Sequence, residues 1–510
     1  MAEDMASRLV AALALTEDAV VDFGEVGLVV VMQEFFYLVG RLIQRKVGNE
    51  KGLPSTLSAI WGLGDHLAIL AVGEGRYLLF RFRCCDECNK ILHGEPWFFN
   101  RRMLLLGEYD PVRLITANYG LDDQLPSYCP DEESTALLQF KHSFTINASA
   151  SSLVGAYPKV WSWKTAQGGN NTSCCTWDGV ECDEQTGHVI GLDLRSSCLY
   201  GSINSNSSIF RLVHLQRLNL ADNHFNYSHI PTSIRNFPRL THLDLSGSVF
   251  SGRVPSEVSQ LVKLSLLNLS SNTDPSSGVG LLKLDVSNFR SLVKNLTSLE
   301  HLRLRYVNIS STIPHSMANL SFLTTLDLHQ CELFGNFPVT VFHLQNLRSL
   351  YLRDNQDLIG YLPEFNQSSR LITLDLHGTR FSGNFPSSIG KIDSLKQLDV
   401  AACNFSEGLV PSSIGNLRQL VYLDLSANKF VGPIPDSFAN LTQLTVFRIS
   451  TSPLTGPVPS WIGNFSKLVY LDFSYSRLNG SILASFSNLT NLEILYLQYN
   501  DLRVPGSRIG

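Results

Sequence analysis

The chain has 510 residues, with 40 Lys and Arg against 45 Asp and Glu and a net charge of −5. Bulk charge therefore does not favour nucleic acid or an anionic membrane as a partner. No apolar run reaches the roughly 18 residues of a bilayer-spanning helix; the nearest, residues 26–39, is interrupted by Gln33 and Glu34.

Residues 1–34 read as a poorly defined extension. The opening MAEDMASRLVAALALTEDAV is acidic and lacks a cleavage site, so it is not read as a signal peptide. Residues 35–111 carry FFYLVGRLI, STLSAIW, RYLLFRF, ILHGEPWFFNRRMLLL and YDP. The alternating runs Tyr77–Phe82 and Met103–Leu106 predict strands, and Cys85–Leu92 predicts a helix between them, giving a small α+β layer. With Trp61, Phe80, Phe82, Gly94, Pro96 and Trp97 as landmarks, this stretch resembles a plant retroelement-associated domain of unknown function. That resemblance implies an intracellular setting near nucleic acid. Cys85, Cys88 and His93 match three of the four ligands of a zinc knuckle, but Phe98 stands where the fourth should be. No metal is expected there. Residues 112–128 read as a junction.

Residues 129–188 precede the repeats. Asp131 to Phe144 predicts an amphipathic helix with Ala136, Leu137, Phe140 and Phe144 on one face. Trp161, Trp163 and Trp177 are available to cover the end of a stack. Cys129, Cys174, Cys175 and Cys182 allow three pairings, of which the vicinal Cys174–Cys175 bond would be strained.

From Leu240 onward a pattern returns every 24 residues: Leu240, Leu264, Leu299, Leu323, Leu347, Leu371, Leu395, Leu420, Leu444, Leu468 and Leu492, with one interval of 25 and one of 35. A fixed period of this length marks a solenoid, each unit of which needs neighbours to bury its apolar edge. In LVYLDLSANKFVGPIPDSFANL, Leu420, Leu423 and Leu425 point inward, and the alternation around Asp424 predicts a short strand. Asn428 turns the chain and can bond backbone groups of adjoining coils. Pro433 and Pro435 bar a continuing helix, so the return is short or irregular. Leu212–Phe237 is a further copy and Val189–Ile203 the first, giving about thirteen coils over 189–510. The last, opened by Leu492, Leu495, Leu497 and Asn500, reads as incomplete.

LxxLxLxxNxLxGxIP at this spacing resembles the plant extracellular type of leucine-rich repeat. CPDEESTALLQFKHSF and SCCTWDGVECDEQTGHVIGLDL resemble the N-terminal cap of plant receptor-like proteins and receptor kinases. The resemblance implies a right-handed α/β solenoid with a disulfide-bonded cap, paired Cys129–Cys174 and Cys175–Cys182. It also implies a plasma-membrane or extracellular place, a peptide or protein ligand on the concave face, and signalling through a partner receptor kinase in defence or development. No nucleic acid is expected on the repeats. A second reading is a secreted inhibitor of a pathogen cell-wall hydrolase. A third is a fused or truncated product without signalling function, in which a retroelement fragment precedes a receptor gene and the front domain is nucleic-acid associated.

Fifteen N-x-S/T sequons support a secretory history for the repeats. They are Asn147, Asn170, Asn171, Asn206, Asn226, Asn268, Asn295, Asn308, Asn319, Asn366, Asn404, Asn440, Asn464, Asn479 and Asn488, with none in residues 1–128. Cys331 and Cys403 occupy the slot of Asn428 as small buried side chains, about 14 Å apart at about 4.8 Å per coil. Cys198 lies one place past that slot and is expected to face solvent. The excess between Leu264 and Leu299 contains TDPSSGVG, a turn-forming segment expected to be a mobile loop.

GxSxG, HExxH and P-loop motifs are missing from this sequence, so neither an enzyme nor a cofactor site is expected. Asp193, Asp244, Asp327, Asp375, Asp399, Asp424 and Asp472 share one coil position and read as a solvated or ladder-bonding column. Binding is read from exposed strand positions. His301, Arg303, Arg305, Tyr306, His329, Gln330, Tyr351, Arg353, Asp354 and His377 form a basic, aromatic candidate patch across coils five to eight. A second candidate group is Arg448, Tyr470, Tyr475, Tyr496 and Tyr499.

Overall fold

A computed structural model describes residues 129–164, 173–481 and 484–503, and the strands of residues 36–108. The chain divides into two units, Met1–Pro126 and Ser127–Gly510. In the first unit, five strands form one antiparallel sheet: β1 (Phe36–Leu42), β2 (Ala68–Val72), β3 (Tyr77–Phe82), β4 (Trp97–Phe99) and β5 (Arg102–Glu108). Their order is β2-β3-β1-β5-β4, with Phe36 opposite Phe82 and Leu38 opposite Glu108. The strands expected over 77–82 and 103–106 are present. The helix expected over 85–92 and the Cys85, Cys88 and His93 trio lie outside the described residues.

In the second unit the 24-residue period becomes a fourteen-stranded sheet. Thirteen of its strands, one per coil, are parallel neighbours in sequence order. We number the coils by them: Val189–Asp193 (1), Arg217–Asn219 (2), His242–Asp244 (3), Leu266–Asn268 (4), His301–Arg303 (5), Thr325–Asp327 (6), Ser349–Tyr351 (7), Thr373–Asp375 (8), Gln397–Asp399 (9), Tyr422–Asp424 (10), Val446–Arg448 (11), Tyr470–Asp472 (12) and Ile494–Tyr496 (13). The register is strict. Leu302, Leu326, Leu350 and Leu374 sit side by side in the core, and the residues before and after each stand on the other face. Such alternation is what a strand buried on one side requires. The backs of most coils are single 3₁₀ turns opened by prolines such as Pro411 and Pro435, whose fixed φ suits the start of a turn.

The slot after the strand satisfies the backbone between coils. Asn355 Nδ2 donates to the carbonyls of Leu328 and Leu352, both at 2.8 Å, and Oδ1 accepts from the backbone N of Cys331 and Leu333. Asn428 repeats this with Val400 O at 2.7 Å. Cys331 and Cys403 substitute through Sγ donors to Leu304 O and Leu376 O. Cys198, expected in solvent, is 3 % exposed. The cause is the strand Phe144–Ile146, which pairs antiparallel with Leu199–Gly201 and lies over this corner of coil 1.

The cap closes the stack. Helix α1 (Asp131–Lys141) buries Ala136, Leu137 and Phe140. Phe144 leaves the helix, contrary to expectation, and meets Phe140 and Phe225 edge-on at 4.8 and 5.5 Å from the strand instead. Trp163 and Trp177 are buried and stacked at 5.7 Å, whereas Trp161 is 62 % exposed and covers nothing. Disulfides join Cys129 to Cys174 and Cys175 to Cys182. The strand Val180–Cys182 runs antiparallel along coil 1 and occupies the free sheet edge, where unpaired backbone groups would otherwise invite another chain.

The long interval after coil 4 holds two pieces. Asp274 Oδ1 accepts the backbone N of Ser276 and Ser277 at 3.0 and 2.8 Å, and Tyr227 Oη donates to Oδ2 at 2.9 Å. The segment expected to be a mobile loop is thus a hydrogen-bonded turn tied to coil 2. Helix α2 (Val286–Asn295) then replaces the 3₁₀ back, with Phe289, Leu292 and Val293 in the core.

Candidate functional site

Two side-chain columns frame the face of the sheet away from the core, and each is set by its place relative to the inward leucines. The column between two leucines is Asp or Asn in most coils because its carboxylate or amide oxygen accepts the backbone N–H two residues on. Asp244 to Ser246, Asp399 to Ala401 and Asp472 to Ser474 make this bond at 3.0–3.1 Å. The aspartates are thus ladder-bonding, and the later ones are not solvated: Asp375, Asp399, Asp424 and Asp472 are buried. Arg303, Tyr351, Arg448 and Tyr496 interrupt the column in coils 5, 7, 11 and 13. These departures mark where the face is not serving the backbone.

The residue five places after the start of each three-residue register has positive φ in every coil, from Ser196 to Tyr499. It turns the chain off the sheet and tips its side chain along the rim. Tyr306 holds this conformation at φ +64°, sparsely populated for a bulky residue. Periodicity did not reveal this column, although Gly247 and Gly378 within it are the residues that favour such a φ.

A groove of about 900 Å³ lies over coils 2 to 8. Of the first candidate patch, Arg303, Arg305, Tyr306, His329, Tyr351, Arg353 and Asp354 line it, while His301, Gln330 and His377 do not. Sequence reasoning missed Asp327 and Asp375 on its floor, and Ser152 and Asp222 at its near end. Ser152 arrives there because a cap loop is latched to coil 2. Asp222 accepts Ser152 N and Oγ at 2.8 and 2.7 Å and Ser196 Oγ at 2.7 Å, and Ser151 Oγ adds a further bond.

The cations of the groove differ in their partners. Arg353 reaches across coil 8 to Asp399 at 3.4 Å and also touches Asp354 at 3.5 Å. His377 Nδ1 lies 3.4 Å from Asp399 Oδ1, and this carboxylate raises its pKa. Arg303 and Arg305 are exposed and form no ion pair among the described residues. The Arg305 guanidinium lies 4.9 Å from the ring centre of Tyr306, which packs edge-on against His329 at 5.4 Å. Burial, then Arg305, lowers His329 to about 4, so its imidazole is neutral near pH 7. Burial, then the neighbouring Asp399, raises Asp375 to about 7. The coil-5 end of the groove therefore carries two arginines outside any ion pair, with Asp327 on the floor as the carboxylate that feels both, and the coil-8 end carries carboxylates already engaged or half protonated.

The second candidate group lies apart from this groove. Arg448 pairs with Asp424 at 3.0 Å and sits 5.5 Å from the ring centre of Tyr470. Tyr470 meets Tyr496 edge-on at 5.8 Å, and Tyr475 stacks on Tyr499 at 4.3 Å. It is an aromatic rim with its cation neutralised.

Sequons avoid the sheet face with one exception. Asn295, Asn319, Asn440, Asn464 and Asn488 end the backs of their coils. Asn226, Asn308, Asn404 and Asn479 follow the strand turn on the flank. Asn268 is the exception, 8 % exposed within coil 4, its amide donating to Asp244 and accepting from Ser270 N. Asn170 and Asn171 lie outside the described residues.

Residues 282–497 match the leucine-rich repeat region family, residues 130–183 the leucine rich repeat N-terminal domain, and residues 35–112 a domain of unknown function, DUF4283. The chain is 42 % identical over 262 residues to Receptor-like protein Cf-9 of Solanum pimpinellifolium, covering 49 % of this chain and 29 % of that protein. It is 40 % identical over 291 residues to Receptor-like protein 6 of Arabidopsis thaliana, covering 55 % and 28 %. The chain thus spans less than a third of the length of these relatives. Among solved structures, the plant peptide hormone receptor RGFR1 in complex with RGF2 superposes with a TM-score of 0.52 at 25 % identity, over 64 % of this chain and 53 % of that one. The second unit is therefore a leucine-rich-repeat solenoid similar to the ectodomains of plant receptor-like proteins.

Proposed function

We propose that this chain, whose repeats and cap resemble those of plant leucine-rich-repeat receptor-like proteins, is a recognition module that binds a peptide or protein along coils 5 to 8 and signals through a partner receptor kinase. One observation carries the reading. Arg303 and Arg305 stand exposed beside the groove and form no ion pair among the described residues, while Arg353 and Arg448 are each paired within the fold. Arg303 ends the coil-5 strand and Arg305 follows just past it, both exposed beside the groove, so their guanidiniums can grip an anionic group with several charge-assisted hydrogen bonds. Tyr306 and Tyr351 add rigid aromatic contact beside them, and Arg and Tyr are favoured anchors at interfaces. The sequons of coils 4 to 13, Asn268 apart, stand off the sheet face, which leaves this surface open in a glycosylated chain.

The ligand is accordingly read as carrying a carboxylate, from an acidic side chain or a chain end, set against coil 5. The test is selection of displayed random peptides on the immobilised chain, followed by affinity measurement with the Arg303→Glu/Arg305→Glu variant. Selected binders enriched in acidic residues, whose affinity falls about 100-fold or more in the variant, support the reading. Binders indifferent to the two substitutions overturn it.

A further inference from the structure

We propose that Glu133, His188 and His214 form a binding site for a divalent transition metal, Zn²⁺ by the chemistry of the donors, where the cap meets the first two coils. Glu133 lies in the first turn of α1 and is 6 % exposed. Its Oε2 accepts the backbone N of Val189 at 2.7 Å, which fixes the carboxylate, and its Oε1 lies 2.9 Å from His188 Nδ1. His214 precedes the strand of coil 2, and its ring lies against that of His188 at 3.8 Å between centres, with 22° between the planes. The Glu133–His188 pair accounts for two of the three residues as a plain structural link. It does not account for the second imidazole, whose ring makes no hydrogen bond among the described residues.

One donor atom from each residue lies within 4.8 Å of the other two. A tetrahedral zinc with bonds of about 2.0–2.1 Å holds its ligand atoms about 3.3 Å apart. The Glu133–His188 separation of 2.9 Å opens by about 0.4 Å to match that, and the widest gap closes by about 1.5 Å. The two rings must splay so that each aims a nitrogen at the ion. Both are part-exposed, and His188 would exchange its bond to Glu133 for the ion, while the buried carboxylate stays anchored by Val189 N. Charge favours the arrangement: Glu133 and Asp183 both act on His214 as anions, with Arg239 opposing. Two imidazoles and one carboxylate leave a fourth position for water. Binding would fasten the lid helix, the entry to coil 1 and the entry to coil 2 to one ion.

The experiment uses the full chain, stripped of metal and titrated with ZnCl₂ by calorimetry at pH 7. It is repeated with His214→Gln, and with Cys88→Ser as a control for thiol ligands in the first unit. The proposal expects one ion bound at micromolar concentration, at least tenfold weaker in His214→Gln and unchanged in Cys88→Ser. Zinc should raise the melting temperature of the native chain and not that of His214→Gln. Absence of binding below about 100 μM, or equal binding by His214→Gln, overturns it. If His214→Gln melts abnormally without metal, electron paramagnetic resonance of the Cu²⁺-loaded native chain decides instead. Coordination by two imidazole nitrogens sustains the site, and any other ligand set overturns it.

Discussion

At the residue scale, the groove is unusual in what it does with its carboxylates. Asp375 has its backbone bond to His377 N at 3.1 Å but shares its surroundings with Asp399, and its pKa rises to about 7 through burial and then that neighbour. A carboxyl that keeps its proton in the fold to a higher pH than in the unfolded chain stabilises the fold at low pH. That stability is full below about pH 4 and declines as the pH climbs toward 7. His377, raised by Asp399, acts in the same sense, since its charged form is favoured by folding and is lost as the pH rises through its folded pKa. Asp375→Asn keeps the acceptor that Asn219 and Asn268 supply in their own coils and removes the ionisation. Thermal melts of native and variant chain from pH 4.5 to 7.5 should show the variant's profile flatter, by about 1–2 kcal/mol of the roughly 4 that the full shift would represent. Parallel profiles would mean that Asp375 ionises normally. The slot residues make a second test. Asn355→Ala strands the carbonyls of Leu328 and Leu352 and two buried N–H groups, and should cost about 3 kcal/mol in urea denaturation. Asn355→Cys should cost less, because Cys331 shows that a thiol can still donate from this slot. The basic patch was legible in the sequence at exposed strand positions, which carry Arg, His and Tyr across coils 5 to 8, and seven of its ten residues line the groove. The burial of the later aspartates was not, because it depends on Arg353 and Arg448 folding back over neighbouring coils, a contact that spacing alone does not encode.

At the element scale, each coil is defined by how closely its back can approach the next. Gly415 sits in a 3₁₀ back where an added Cβ would lie 2.3 Å from the carbonyl oxygen of Ser437 in the next coil, and Gly390 meets Ser413 O at the same distance. Backbone cannot yield as a flexible side chain does, so Gly415→Ala should push coils 9 and 10 apart. We expect a loss of about 1–3 kcal/mol and faster amide exchange in the back turns of coils 9 and 10, with the strand amides of coils 4 to 6 unchanged. Uniform acceleration along the chain would mean that the coils do not respond locally. The strands, the slot and the prolines of the backs could be read in advance because each recurs at fixed spacing. Helix α2 could not, since it fills the one interval that departs most from that spacing. Nor could the burial of Cys198, which is imposed by a cap strand arriving from more than 50 residues earlier. Local pattern reports what a coil needs from its neighbours and says little about visitors from elsewhere in the chain.

At the scale of the whole molecule, a solenoid communicates only through adjoining coils, so its ends control its stability differently from its middle. The cap is the device at one end. It covers coil 1 with α1, pairs the free strand edge with Val180–Cys182, and is closed by Cys129–Cys174 across 45 residues of chain. A loop of that length, cross-linked in the unfolded state, is worth about 4 kcal/mol in the chain-entropy account. Replacing both cysteines by serine should therefore release the cap before anything else. The buried pair Trp163 and Trp177 would become exposed, and coil 1 would lose its lid. Because Asp222 latches the cap loop to coil 2, the loss should also reach the near end of the groove at Ser152, while Arg303 and Arg305, three coils on, keep their places in coil 5. Hydrogen exchange of the paired variant should show protection falling steeply over coils 1 to 3 and native protection over coils 7 to 10. Tryptophan fluorescence should report the cap opening at lower denaturant than the loss of β-structure. A single concerted transition, with all coils losing protection together, would show that the stack behaves as one cooperative unit and that its cap sets the stability of the distant binding face as well.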